Sequence, residues 1–183
     1  MIKGKCKFIP NIFTFSNMLF GLLSILLLIQ SEHINKAIFV PILIFLGGAA
    51  DLLDGFLARK LNAVAELGKQ LDSFADIITF GVAPISLINY LSVCPYPIGI
   101  VLASLVYISA GAYRLARYNL SEFTGHYCGL PIPVAGVSLA AYSMVYPMWA
   151  DFENPLLSTT VTVSFILLLS VLMISKKSIK RIV

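Results

Sequence analysis

Twelve of the thirteen lysines and arginines in this chain fall in four places: the N-terminus, the breaks after the second and fourth of six apolar runs, and the C-terminus. The runs lie at about 9–30, 37–60, 67–92, 97–118, 131–150 and 156–175. Each approaches the roughly 20 apolar residues that a helix needs to cross a bilayer. Six antiparallel spans would bring Lys3, Lys5, Lys7, Arg59, Lys60, Lys69, Arg114, Arg117, Lys176, Lys177, Lys180 and Arg181 to one face. The other face would keep only Lys36, beside Glu32, Asp151 and Glu153. An odd number of spans would scatter these charges. The positive-inside rule assigns the basic face to the cytoplasm. The chain is therefore expected to be an all-α integral membrane protein, one domain over 1–183, with six transmembrane helices and both termini cytoplasmic.

Composition agrees, with 12% charged residues and a mean hydropathy of +0.90, where a soluble domain carries about 25% charged residues. Lys3, Lys5 and Lys7 before an apolar run imitate a secretory signal. Five further spans and the lack of a small-x-small cleavage site predict that the segment is retained. The basic tail Lys176–Arg181 suits anionic lipid headgroups or topology, and no nucleic-acid partner is expected. Cys6, Cys94 and Cys128 are widely spaced, and His33 and His126 are isolated, so neither a zinc site nor a disulfide framework is expected.

Against this background the carboxylates are concentrated. Four of the five aspartates lie in the 26 residues "DLLDGFLARKLNAVAELGKQLDSFAD". Asp51 and Asp54, three apart, share a face near the basic end of the second span. Asp72 and Asp76, four apart, share a face near the same end of the third, with Gly68 one turn before Asp72. A short connection makes these spans neighbours, so the two pairs can face one another just inside the boundary. Unpaired charge at such a depth is costly, and converging carboxylates repel unless cations neutralise them. Hard divalent ions with oxygen ligands meet that need, and Mg²⁺ is commonly held by a few carboxylates together with substrate phosphates. Two such ions about 4 Å apart can clamp a phosphoryl centre. Gly55, Ala58 and Gly68 would let a bulky ligand approach the backbone, or would serve helix packing. Arg59 stands where it could reach a phosphate, or serve as a topology charge.

The stretch resembles the signature of the CDP-alcohol phosphatidyltransferases, D-x-x-D-G-x-x-A-R, eight or nine residues, then G-x-x-x-D-x-x-x-D. Asp51, Asp54, Gly55, Ala58, Arg59, Gly68, Asp72 and Asp76 match all eight fixed positions. The resemblance implies a six-helix membrane core with its site at the cytoplasmic side. It also implies transfer of a phosphatidyl-type group from a CDP-activated lipid to an alcohol, with release of CMP. Carried over by position, Asp51, Asp54, Asp72 and Asp76 would surround two divalent cations, Mg²⁺ or Mn²⁺. Asp76 would also be the catalytic base, and Gly55, Ala58, Arg59 and Gly68 would line the CDP pocket. The family commonly forms homodimers. Gly47, Gly48, Ala49 and Ala50 would allow close packing of that kind, or packing within one protomer.

Two further stretches resemble the phosphatidylserine synthase branch: "PNIFTFSNMLFG" (Pro10 to Gly21), and "YRLARYN" (Tyr113 to Asn119) with the segment Phe123 to Gly136. They imply L-serine as acceptor. A serine zwitterion needs a cation for its carboxylate and acceptors for its ammonium, which Arg114, Arg117, Tyr118 and Asn119 could supply. Glycerol-3-phosphate or an inositol phosphate would want the same cations. Thr14 and Asn17 share a face of the first span and are candidates for the nucleotide or for a role in the helix start. The loop at about 119–131, with Gly125 and Gly129, could close over the acceptor and exclude water. Two other readings remain: an aspartate-motif prenyltransferase, expected to need more spans, and a cation transporter, expected to show a second acidic layer.

Overall fold

The computed structural model describes residues 9–30, 35–60, 66–92, 98–120, 127–150, 155–175 and 178–179. The described residues are helical apart from short connections and a two-residue antiparallel pairing, Tyr127–Cys128 with Ser178–Ile179. The helices are α1 (Ile9–Gln30), α2 (Lys36–Lys60), α3 (Glu66–Asp76), α4 (Ala83–Leu91), α5 (Ile98–Leu120), α6 (Ile132–Trp149) and α7 (Pro155–Ile174). A π-helical segment, Ile77–Val82, joins α3 to α4, so Glu66–Leu91 is one rod. The six rods begin and end within two residues of the apolar runs. Five are long and apolar enough to span a membrane, and Ile132–Met148 is a shorter apolar helix.

The outer surface explains the composition. Ile12, Leu19, Leu23, Leu26 and Ile29 on α1, and Leu156, Leu157, Leu168 and Val171 on α7, are exposed. Apolar area on this scale matches hydrocarbon rather than water. Inside, α1 packs along α2 and α5 along α7, while the π segment touches α1, α3, α4, α5 and α6. Small residues allow these approaches. A Cβ at Gly136 of α6 would stand 2.5 Å from the Phe80 Cβ, and one at Gly21 of α1 would stand 2.8 Å from the Thr79 Cα. Gly47 likewise abuts Thr79 and Asn17, and Gly48 lies near Val137 and Phe80. Of the two roles open to that stretch of α2, these glycines serve packing within the protomer.

The π segment has a local cause of its own. Pro84 has no N–H, so the Phe80 carbonyl lacks the donor that an α-helix would supply four residues on. The Tyr107 hydroxyl of α5 donates to that carbonyl at 3.0 Å, and the Ala83 N–H reaches back five residues to the Ile78 carbonyl. Thr79 donates to the Asn17 carbonyl of α1 at 2.8 Å. The third rod thus widens by a turn at mid-bundle, directly after Asp76.

The two ends of the bundle differ. Lys36, at the start of α2, donates to the Leu28 carbonyl at 2.9 Å and sits 4.3 Å from the centre of the Tyr90 ring. At the opposite end Lys69 and Arg114 line one cleft, and Arg117 donates to the Ile174 carbonyl of α7 at 3.2 Å. The expected segregation of charge is therefore seen among the described basic residues. The lysines at 3, 5, 7, 176, 177 and 180, and Arg181, lie outside the described residues, as do His33, His126, Cys6 and Cys94.

Candidate active site

Each aspartate is placed by the helix that carries it. Asp51 and Asp54 project from the C-terminal half of α2, and Asp72 and Asp76 from α3. One carboxylate oxygen from each of Asp51, Asp72 and Asp76 lies within 4.8 Å of the other two. Asp54 stands slightly apart. It is buried, its Oδ2 accepts a hydrogen bond from the Thr14 hydroxyl of α1, and its charge still acts on Asp72. Three carboxylates at this separation in a weakly polarisable setting repel one another strongly. Arg114 of α5 is the opposite charge acting on Asp76.

Asp51, Asp72 and Asp76 open onto a cleft of about 260 Å³. Gly55 and Leu52 of α2, Lys69 and Ser73 of α3, Arg114, Leu115, Tyr118 and Asn119 of α5, and Pro131 and Pro133 at the start of α6 complete its walls. Asp76 Oδ1 and Asn119 Oδ1 are buried here without a hydrogen-bond partner. Burying such an atom without a partner costs about 1–3 kcal/mol. Hard oxygen donors with an unused carboxylate atom fit a divalent cation, and the Asp51–Asp72–Asp76 cluster can hold one.

The structure distributes the other sequence candidates unevenly. It brings Gly55, Arg114, Tyr118 and Asn119 to the cleft wall. Gly68 is partly buried on α3 but does not line the cleft. Arg117 turns to the end of α7, away from the cleft. Thr14 reaches Asp54 from behind. Asn17 is fully buried beside Asp76, and neither of its amide atoms makes a hydrogen bond within normal geometry. The side chains of Ala58 and Arg59 lie outside the described ones, as does Gly125. Gly129 adopts φ +81°, a conformation that only glycine takes readily, and abuts the Met173 carbonyl.

Lys69 and Ser73 were not among the expected site residues. Their signal was present, because 69, 72, 73 and 76 recur at helical spacing and form one stripe of α3. Lys69 donates to the Asn119 carbonyl at 3.1 Å and stands 5.3 Å from the Tyr118 ring centre, tying α3 to the end of α5.

Comparison with known proteins matches residues 7–175 to the family model described as CDP-alcohol phosphatidyltransferase. A CDP-diacylglycerol–serine O-phosphatidyltransferase of Bacillus subtilis (strain 168) is 38% identical over 171 residues, covering 93% of this chain and 88% of the relative. An enzyme of the same name from Helicobacter pylori (strain ATCC 700392 / 26695) is 36% identical over 171 residues, covering 91% and 69%. An archaetidylserine synthase of Methanothermobacter thermautotrophicus is 34% identical over 177 residues, covering 95% and 70%.

Proposed function

The chain belongs to the CDP-alcohol phosphatidyltransferase family of enzymes, and on that premise we propose that it transfers a phosphatidyl-type group from a CDP-activated lipid to the hydroxyl of L-serine. The observation that carries this reading is the meeting of Asp51, Asp72 and Asp76 on a cleft whose far wall holds Arg114 and Asn119. The choice of serine is supported by the names of the relatives, two of which are serine phosphatidyltransferases and one an archaetidylserine synthase. The lipid is CDP-diacylglycerol or CDP-archaeol.

In the proposed reaction the serine hydroxyl oxygen forms a bond to the lipid-bearing phosphorus. The bond from that phosphorus to the bridging oxygen of CMP breaks, and CMP leaves with the electron pair. Asp76, the innermost of the three carboxylates, takes the hydroxyl proton. Asp51, Asp54, Asp72 and Asp76 would hold two divalent cations, Mg²⁺ or Mn²⁺. When bound, these ions supply positive charge that polarises the diphosphate and stabilises the departing CMP. Gly55 leaves room for the diphosphate against α2, Ala58, Arg59 and Gly68 are assigned to the nucleotide by the family signature alone, and Thr14 steadies Asp54 from α1. Arg114 offers the acceptor's carboxylate a cation, while Pro131 and Pro133 narrow the cleft and limit entry of water, which would hydrolyse the CDP-lipid. The segregation of basic residues supports a cytoplasmic site in the cell membrane, with both termini on that side. A homodimer would meet through surfaces other than Gly47 and Gly48, which are occupied within the protomer.

The test is CMP release by the detergent-solubilised protein given a CDP-lipid and Mg²⁺ or Mn²⁺. Serine, glycerol-3-phosphate, inositol and inositol phosphate are offered separately. Release with serine alone is the expected result. Release only with another alcohol would keep the family and overturn the acceptor. Metal flux through liposomes lacking any CDP-lipid would instead favour a transporter.

A further inference from the structure

Beside the aspartates, the cleft contains a short chain of hydrogen bonds whose direction is determined by its first acceptor. The Ser73 hydroxyl donates to the Lys69 carbonyl at 3.1 Å, and a carbonyl can only accept. Having spent its one proton there, the Ser73 oxygen can only accept from its next neighbour. It accepts from the Asn119 amide nitrogen at 2.9 Å. The Asn119 amide is thereby fixed with its nitrogen toward α3 and its Oδ1 left over, buried and without a partner. The backbone of the same residue is held by Lys69, whose ammonium donates to the Asn119 carbonyl. Asn119 is thus clamped at two points by one stripe of α3, and both clamp residues line the cleft with it.

We propose that Ser73 is a positioning residue that sets acceptor specificity, by orienting Asn119 Oδ1 to accept a hydrogen bond from the acceptor's ammonium group. This rests on the serine reading above and deepens it. Arg114 and Asn119 Oδ1 then form a two-point device: a cation for a carboxylate and a fixed acceptor for an ammonium. A phosphorylated polyol can meet the first point with its phosphate and has no ammonium for the second. Without Ser73 the amide can rotate by half a turn, and the cleft would present a donor where an acceptor is needed.

The experiment compares L-serine with 3-hydroxypropionate, which keeps the hydroxyl and carboxylate and lacks the amino group. CMP release is measured in the wild type, Ser73→Ala, Ser73→Thr and Asn119→Leu, with CDP-diacylglycerol and Mn²⁺. Ser73→Ala and Asn119→Leu are expected to raise the KM for serine roughly tenfold to a hundredfold, the range for a hydrogen bond to a charged group. Their use of 3-hydroxypropionate and their KM for the CDP-lipid should stay within about twofold, since no ammonium is at stake. Ser73→Thr keeps the hydroxyl and should restore the preference. An unchanged preference for serine in Ser73→Ala, or an equal loss with both acceptors, overturns the proposal. Should Ser73→Ala not fold, Asn119→Leu carries the same comparison. Wild-type release with another alcohol but not with serine removes the serine reading and this inference together. Serine-dependent release with preference unaffected by the variants removes this inference alone.

Discussion

The two halves of the bundle treat buried polar groups in opposite ways. Toward the Lys36 end, among the described residues, no buried side-chain atom lacks a hydrogen bond. Asn89 donates to Ser104 Oγ and the Ile85 carbonyl, Tyr142 and Thr162 share a hydrogen bond of 2.7 Å, and Ser143 and Ser158 each donate to a carbonyl three residues back. Toward the cleft the accounting does not close: among the described residues, the buried side-chain atoms that lack hydrogen bonds all lie at this end, on Asp76, Asn17 and Asn119 among them. In hydrocarbon a self-satisfied polar pair is glue between helices. An unsatisfied one costs stability and persists where something else completes it. The difference separates the part of the molecule that is complete in itself from the part that holds the proposed site.

The largest expected break in that contrast is Asp76→Asn. The carboxamide keeps the volume and removes the proton acceptor and the ligand charge proposed for this position. CMP release should fall at least about a thousandfold, within the span typical of losing a general base together with a charge at the reacting centre. Size-exclusion behaviour should be unaltered. Retention of activity would remove Asp76 from the chemistry.

A smaller effect should separate the halves by metal response. Binding of an ion at 100 times its Kd stabilises the folded chain by about 2.7 kcal/mol, so Mn²⁺ should raise the wild-type melting temperature in detergent. Asp72→Asn should abolish most of that gain. It should also make the metal-free protein more stable than wild type, because one of three mutually repelling charges is gone. Thr162→Val, in the other half, should keep the full response. Equal metal gains in Asp72→Asn and wild type would mean the ion is held elsewhere.

The sequence carried much of this. Apolar runs located the rods within two residues, because in lipid only an unbroken helix satisfies its own backbone. The aspartate spacing located the cleft, because residues three or four apart share a helix face. Three things were not legible. The offset of Asp54 depends on which rotamer reaches Thr14 of a helix 40 residues earlier. Arg114 and Arg117 are three apart on α5 and looked alike, yet one faces the cleft and the other the end of α7. The π segment needed Pro84 to be read as a missing donor and Tyr107 as its replacement, a pairing across 27 residues.

That replacement supplies the intermediate case. Tyr107→Phe removes the hydroxyl from the Phe80 carbonyl while keeping the ring, and should cost about 1–2 kcal/mol of stability. Because the π segment follows Asp76 directly, kcat should also fall, by a few-fold, with little change in either KM. A loss of stability with kcat untouched would show that the widened turn serves packing and does not aim the base.

The smallest effect is expected where the polar groups are most completely answered. Asn89 is exposed on α4, and Ser104 keeps its own bond to the Ile100 carbonyl at 2.6 Å whether or not Asn89 is present. Replacing Asn89 by leucine therefore orphans nothing and puts an apolar group at an exposed position of α4. A hydrogen bond between membrane helices is worth about 0.6 kcal/mol on average, and the gain from removing the amide is of the opposite sign. The melting temperature should move by no more than a degree or two, and CMP release with serine should be unchanged. If Asn89→Leu instead lowered activity as Asp72→Asn does, the self-satisfied half would be part of the working site. The contrast between the two ends would then be one of packing style alone.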